Sequence, residues 1–361
     1  MKNNQKVAVI CAYNPRNCGM YSVDLAAKYF LEKNNIKYDL YRVQNKTKNK
    51  SGSIEYKELK NVSQLDKYKK IFYWGDFINN PNYGLNDFAQ RELDWNRISK
   101  IDAYKKWKRL FLLDGYKKKK NVISVSNNFQ DLIPHTKKDK NEEFNLKNLY
   151  AKKFTLIIPR DSLSLKRLNI FLPNSSKKIK MGMDAALLLN PNQIWPDLKI
   201  IKPNKTFAYF FGRSKLSKTW ITLLKIWLIT GLRPVKIKNW LSMDKKDPEK
   251  SYINALSIMQ SADFIISDTY HCLINAINLE KKAIGIGIYE SKQLGTCGDL
   301  KKKILFEDLG IKEFYLESGT DLSSTLPEII KLVNLPMKKK FLSIKTKKNS
   351  FKRFLEKNLF K

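Results

Sequence analysis

Hydrophobic residues along this chain fall into short apolar runs that alternate with stretches of helical periodicity. Short runs bounded by turn residues are typical of strands buried in a parallel sheet, and they occur at 6–12, 38–43, 70–74, 121–126, 154–159, 206–211, 234–237, 263–267 and 283–288. Helical patterns occur at 21–32, 85–113, 217–230, 251–261 and 326–333. This alternation predicts an α/β fold. Residues 45–60 are predicted to form a polar loop, and residues 181–189 a strand and a turn.

A stretch rich in proline and asparagine between residues 190 and 204 divides the chain into two such alternations. It predicts two Rossmann-like domains that face each other across a cleft, residues 1–195 and 196–335. Residues 336–361 form a basic amphipathic pattern. We expect a helix there that packs back on the first domain; the alternative is a helix that lies on a membrane surface.

One strand–helix–strand unit, residues 263–288, concentrates polar residues that can carry chemistry. The strand ends in Ser267, Asp268 and Thr269, any of which can cap the following helix. His271 lies in the first turn of that helix, at the carboxyl end of the strand, where open α/β sheets bind ligands. The chain has two histidines, so a proton-transferring imidazole is either His271 or His135. We expect His135 to be exposed in a polar loop.

Three further turns at strand ends are candidate anion sites. Asn17 and Gly19 precede the first helix, where glycine allows close backbone approach and the helix N-terminus attracts an anion; the alternative is a plain connecting turn. Arg160 ends the strand at 154–159 and suits an anion, or it pairs with a local carboxylate. Arg213 follows the strand at 206–211 in the same way.

The net charge of +35, from 69 basic and 34 acidic residues, is extreme. Lysines occur in nearly every segment and no nucleic-acid motif is present, so a lysine-favouring genome explains most of the charge and nucleic acid is not a predicted partner. The alternative is that the positive charge has a function, which is to attract the protein to an anionic membrane surface or to attract anionic substrates.

The apolar runs, the N-terminus and the cysteines indicate where the protein is located. The sequence contains no run of 18 apolar residues, which predicts no membrane-spanning helix. The N-terminus has no signal-peptide pattern, and the four cysteines fit reduced thiols. We therefore expect a cytoplasmic protein that can associate peripherally with the inner face of the membrane. No cysteine, histidine or carboxylate spacing predicts a metal site, and no cofactor is expected.

Four motifs together resemble the polysaccharide pyruvyl transferase family. Three of them are Asn17-Cys18-Gly19, the run from Arg160 to Ser164, and the run from Asp184 to Leu189. The fourth is the carboxy-terminal signature, which consists of Ser267, Tyr270, His271, Ala276, Ala283, Ile284, Ile286 and Lys292, followed by LFEDLG at 305–310. Their order and spacing match over roughly residues 7–315.

The resemblance implies a GT-B-like fold and transfer of a pyruvyl group from phosphoenolpyruvate to a pair of sugar hydroxyls, giving a ketal. The acceptor would be a saccharide or a lipid-linked saccharide of a surface polysaccharide. By the resemblance His271 is the general acid. The donor-binding residues are then Arg160, Ser164, Arg213 and Lys292, although Arg213 is placed by its strand-end position alone. The residues assigned to the acceptor or cleft are Asn17, Gly19, Asp184, Thr269 and Tyr270.

Two positions depart from the family pattern and keep alternatives open. Thr269 stands where the family commonly has an arginine, and Met20 stands where it has an acidic residue. One alternative is a GT-B-type glycosyltransferase that uses a nucleotide sugar, with Glu290 available for ribose hydroxyls. The other is a non-catalytic protein that binds anionic glycans or lipid-linked intermediates.

Overall fold

The computed structural model describes residues 6–11, 17–43, 50–130, 132, 140–200, 204–244, 246–288 and 299–360. Its strands, in chain order, are β1 (Val7–Cys11), β2 (Tyr38–Arg42), β3 (Lys50–Ser51), β4 (Ile54–Glu58), β5 (Lys70–Asp76), β6 (Asn121–Asn127), β7 (Leu156–Pro159), β8 (Thr206–Phe210), β9 (Arg233–Lys236), β10 (Phe264–Ser267), β11 (Lys282–Ile288) and β12 (Tyr315–Ser318).

The α-helices run between these strands. In chain order they are α1 (Cys18–Lys33), α2 (Pro81–Tyr83), α3 (Ala89–Asn96), α4 (Lys100–Phe111), α5 (Lys140–Lys153), α6 (Ser162–Phe171), α7 (Pro191–Ile194), α8 (Thr219–Thr230), α9 (Pro248–Ser261), α10 (Tyr270–Asn278), α11 (Leu300–Leu309), α12 (Leu326–Asn334) and α13 (Lys338–Leu359).

The strands form two sheets. In the described part of the chain the first sheet has the order β3-β4-β2-β1-β5-β6-β7 and the second the order β12-β11-β10-β8-β9. Every pair is parallel except β3 with β4. The central strands are buried along their length because helices cover both faces. The structure confirms the predicted α/β class with two Rossmann-like sheets in a GT-B-like layout.

The carboxyl edges of the two sheets face each other. The backbone N–H of Ser162, just after β7, donates to the carboxylate of Asp308 at 2.9 Å. The N–H of Cys18, at the start of α1, donates to the carbonyl of Trp240 at 2.9 Å. Helices α1 and α10 also pack together, and the Asn275 amide donates to the Ser22 hydroxyl. Loops at strand ends of both sheets therefore share one cleft.

Helix α13 contacts both halves of the protein. Near its beginning Lys340 pairs with Glu313, and Lys347 donates to the Asp308 carbonyl. At its end Phe360 stacks on Phe30 of α1 at 5.6 Å. Its apolar residues Ile344, Phe351, Leu355 and Leu359 are buried. This apolar face of α13 is thus packed against other residues of the same chain. The domain bounds at 195 and 335 stay a prediction.

Two local predictions were wrong. Residues 45–60 are not all loop, because Ile54 and Tyr56 are buried in alternation with exposed neighbours and β4 adds to the first sheet. Residues 181–189 contain no strand; Asp184 instead caps a 3₁₀ helix, Ala185–Leu188, by accepting from the Ala186 N–H. Apolar runs alone do not distinguish a strand from a short buried helix. Among the described residues, no helix is both long enough and apolar enough to cross a bilayer.

Candidate active site

His271 lies where the two carboxyl edges meet, in the first turn of α10. Its side chain is buried, with about a tenth of its surface exposed. The turn before it is held by Ser267, whose hydroxyl donates to the Phe210 carbonyl and accepts from the Thr269 N–H. These bonds join β10 to β8 and determine where α10 begins, and they therefore determine the position of the imidazole.

Asp268 does not cap α10. Its carboxylate accepts the backbone N–H groups of Gly212, Arg213 and Ser214 at 2.6–2.9 Å. The Thr269 hydroxyl donates to the same carboxylate at 2.9 Å. Thr269, at the family's arginine position, thus uses its hydroxyl for a hydrogen bond inside the protein. The same carboxylate holds the backbone of Arg213.

Gly19 packs directly against the imidazole of His271. A Cβ atom at Gly19 would lie 2.6 Å from the His271 Cβ and 3.0 Å from its Cγ and Nδ1. Asn17 caps α1 by accepting the Gly19 N–H at 2.9 Å, which sets the helix end beside the histidine. The close approach predicted for this turn is real, and its partner in the structure is the histidine.

Asp184 faces the other side of the imidazole. Its Oδ2 atom lies 3.6 Å from the Nε2 atom of His271, beyond hydrogen-bonding distance. Neither atom has a hydrogen-bond partner among the described residues. Burial raises the pKa of Asp184, but His271 and Arg160 lower it more, and the net shift is downward. An ionised carboxylate therefore faces an imidazole nitrogen that no described residue hydrogen-bonds.

Arg160 is almost fully buried among carboxylates. Its guanidinium donates to Asp76 at 2.7 Å and lies 3.4 Å from Asp161 and 3.8 Å from Asp184. It also lies over the Tyr270 ring, 4.6 Å from the centroid. Of the two roles considered for Arg160, local pairing is the one seen in the structure, and its role in donor binding stays a prediction.

Ser164 is likewise engaged inside the protein. Its hydroxyl accepts the Phe129 N–H at 2.9 Å, and its own N–H donates to Asp161, which caps α6. Together with the Arg160 contacts, these bonds give the Arg-Asp-x-x-Ser motif a structural role, which is to join the end of β7 to the start of α6 and the loop after β6. Lys292, Glu290 and His135 lie outside the described residues.

Two cations approach this cluster from the second half of the protein. Burial, together with repulsion from Arg160 and Arg213 and against the attraction of Asp76, lowers the pKa of Lys301 to about 8. Lys301 and Arg213 also act on Asp87, whose pKa is raised by burial. Lys301 and Arg213 are therefore within electrostatic range of the Arg160 cluster, and they add positive charge to a site that holds three aspartates.

Sequence reasoning missed Asp76 and Lys301. Asp76 is the last residue of the buried strand β5, and Arg160 directly follows β7, so a polar residue at a strand end was the available signal. The backbone of Asp76 lies in the left-handed region at φ 50°, a costly conformation for a residue with a side chain and one that is enriched at functional sites. No pattern in the sequence points to Lys301. In the described ranges no three His, Cys, Asp or Glu side chains form a metal-binding group.

Comparisons with solved structures find distant likenesses. A functionally uncharacterized protein from Klebsiella pneumoniae is 13% identical, with 87% of this chain and 94% of that chain covered and a TM-score of 0.48. S. aureus MnaA, solved with UDP, is 10% identical, with 94% and 90% covered and a TM-score of 0.49. UDP-GlcNAc 2-epimerase from Methanocaldococcus jannaschii is 10% identical, with 91% and 92% covered and a TM-score of 0.46. No activity is transferred from likenesses this distant.

A search of curated proteins finds no match. The model of one protein family, described as polysaccharide pyruvyl transferase, matches residues 25–289. This range includes the Arg160 and Asp184 motifs and most of the His271 signature, and it covers most of the chain. The chain therefore belongs to the polysaccharide pyruvyl transferase family, which places it among the transferases.

Proposed function

We propose that this protein transfers the pyruvyl group of phosphoenolpyruvate to two hydroxyls of a saccharide, on a surface polysaccharide or its lipid-linked precursor, and forms a ketal. The observation that carries the proposal is the Nε2 atom of His271, which is buried in the cleft beside Asp184 and has no hydrogen-bond partner in the described part of the chain. An imidazole in this position can donate a proton to a bound molecule near neutral pH.

The reaction begins when His271 donates the Nε2 proton to the methylene carbon of phosphoenolpyruvate. The neighbouring carbon becomes an oxocarbenium-like centre, and a first sugar hydroxyl adds to it. The bond from that carbon to the phosphate oxygen then breaks, inorganic phosphate leaves, and the second hydroxyl adds. Of the two hydroxyl protons, one returns to His271 and the other leaves with the phosphate, so the imidazole is restored.

Asp184 supports the first step by its charge. A carboxylate 3.6 Å from Nε2 attracts the positive charge of a protonated ring. Its burial keeps water from screening that attraction, and His271 and Arg160 together hold the pKa of Asp184 below its usual value. In this proposal the same negative charge also favours the oxocarbenium-like centre.

Arg213 and Lys301 are the cations that we assign to the anionic donor. Thr269 supplies no charge at the family's arginine position, and its hydroxyl is occupied by Asp268. Arg160 is neutralised by its aspartates. Arg213 is exposed in the turn after β8 and Lys301 is half-buried, and Lys301 lies within electrostatic range of both Arg213 and Arg160. In this proposal they replace the missing arginine. Lys292 remains a predicted donor ligand.

Thermal-shift titration with phosphoenolpyruvate, compared with uridine and cytidine nucleotides, tests this proposal. A ligand that prefers the folded state raises the unfolding temperature. We expect a shift with phosphoenolpyruvate that is lost in Arg213→Ala and Lys301→Met and kept in Lys215→Ala, an exposed cation on the same turn. His271→Ala should keep the shift and lose phosphate release with acceptor present.

Two outcomes contradict the proposal. A shift with nucleotides and none with phosphoenolpyruvate would make the protein a glycosyltransferase. No shift with either class, in a protein that still binds anionic glycans after His271→Ala, would make it a non-catalytic binding protein.

A further inference from the structure

Helix α8 exposes an unusual amount of apolar surface. Trp220 is 65% exposed, Leu228 74% and Ile229 59%, and Ile221, Leu224 and Trp227 are also exposed. The opposite side of the helix is packed into the second sheet through Leu223 and Ile226. At 100° per residue, Trp220, Ile221, Leu224, Trp227 and Leu228 form one continuous stripe about 120° wide. A stripe of this kind on a folded protein marks a surface that is covered by something else.

The chain around this stripe is basic throughout. Residues 204–243 contain eight lysines and arginines and no acidic residue, and all eight basic side chains are exposed. Lys225 lies on α8 at the border of the stripe, and Arg233 and Lys236 lie on the edge strand β9 that follows the helix. One of the eight, Lys218, pairs with Asp321 at 2.6 Å. The stripe is therefore apolar at its centre and cationic at its margins.

We propose that α8 is a membrane-docking helix that inserts its apolar stripe into the interface of an anionic bilayer. Leucine and isoleucine side chains would enter the acyl boundary. Trp220 and Trp227 suit the headgroup level because an indole is apolar with one polar N–H. The surrounding lysines and arginines are attracted by anionic headgroups.

A second copy of this chain fits the surface less well. A two-fold dimer through α8 would bring two identical basic surfaces together without acidic residues from the same stretch to pair with them. Helix α13, the basic helix that sequence reasoning considered for a membrane surface, has its apolar face buried in the protein. Helix α8 thus presents the long apolar stripe that lies within a wholly basic stretch.

The position of α8 suits an acceptor carried by a lipid. The helix follows β8, and the turn between them is the one whose N–H groups bind Asp268 beside His271. Docking through α8 would therefore hold the active-site cleft near the bilayer. This inference does not depend on the donor, because vesicle binding and phosphoenolpyruvate binding are separate measurements.

Vesicle flotation of the full-length protein tests the proposal, with phosphatidylcholine alone and with phosphatidylcholine mixed with phosphatidylglycerol. We expect binding to the anionic vesicles that weakens with salt. Trp220→Gln with Leu228→Gln should lower the partition coefficient on the order of tenfold or more, because two exposed apolar anchors are removed. The control is Ile101→Gln with Phe144→Gln, two comparably exposed apolar residues on the other half of the protein, and it should bind like wild type.

Three results would overturn the inference. The wild-type protein could fail to float with anionic vesicles. The α8 variant could float as well as the control variant. Sedimentation velocity could show a wild-type dimer that the α8 variant converts to a monomer, which would identify a second copy as the partner of the stripe.

Discussion

Replacing Gly19 with alanine tests the contact that positions the histidine. The new Cβ would lie 2.6 Å from the His271 Cβ, whereas carbon atoms in good contact are about 3.5–4.0 Å apart. The imidazole or the start of α10 must therefore move by about 1 Å. Such overpacking costs about 1–3 kcal/mol. Alanine also has a higher helix propensity than glycine, by roughly 1 kcal/mol, and this offsets part of the cost. We expect a net loss of about 1–2 kcal/mol in the free energy of unfolding.

The effect on catalysis should be much larger than the effect on stability. A misplacement of about 1 Å costs on the order of 100-fold in rate, so phosphate release from phosphoenolpyruvate with a saccharide acceptor should fall by about that factor. The two histidines make the displacement visible by NMR. The His271 ring resonances, assigned with a His135→Gln variant, should move in Gly19→Ala.

The matched control is Gly319→Ala, where a Cβ would meet no atom within 4 Å. It should leave the histidine resonances, the activity and the stability close to wild type. If Gly19→Ala left all three unchanged as well, the packing of α1 against His271 would be refuted. If it unfolded the protein, the milder Ser22→Ala, which removes the hydrogen bond between α1 and α10, should still shift the His271 resonances.

Three further predictions concern buried charges. Burial raises the pKa of Asp24 from 3.8 to about 7; because the folded pKa lies above the unfolded one, stability falls as pH rises from about 4 to 7, by up to about 4 kcal/mol. Asp24→Asn should remove that part of the slope in urea unfolding at pH 5 and pH 8, and an unchanged slope would refute the assignment. Arg160→Met should lower the free energy of unfolding by about 3–5 kcal/mol, since buried aspartates lose their cation. In urea unfolding this loss should be smaller at pH 5 than at pH 8, and equal losses would mean that the carboxylates are not the cause. Asp184→Asn should keep the fold by circular dichroism and lower kcat while KM for phosphoenolpyruvate changes little; the reverse pattern would place Asp184 in donor binding.

Much of the fold could be predicted from the sequence because its signals are local. Buried parallel strands are short apolar runs, and helices repeat every 3.6 residues, so the alternation identified both halves and the strand–helix–strand unit around His271. The cap at Asp161 was also readable, because a capping side chain bonds a backbone N–H two or three residues away. Strand β4, which lies beside the two-residue edge strand β3, was missed because its alternating charged residues resemble a loop.

The composition of the site depended on the tertiary structure. Arg160 meets Asp76 across 84 positions of sequence, and no local pattern encodes which carboxylate a buried guanidinium finds. The same holds for His271, whose neighbours Gly19 and Asp184 come from the other half of the chain.

The tertiary structure also determined which apolar helix face is exposed. Helices α8 and α13 both looked amphipathic or apolar in the sequence, and only packing showed which apolar face was covered. The sequence by itself determined most of the elements, the family motifs and the position of His271 at a strand end. Which side chains met there, and which apolar surface stayed exposed, followed from contacts between residues far apart in the chain, because burial and pairing are properties of the assembled fold.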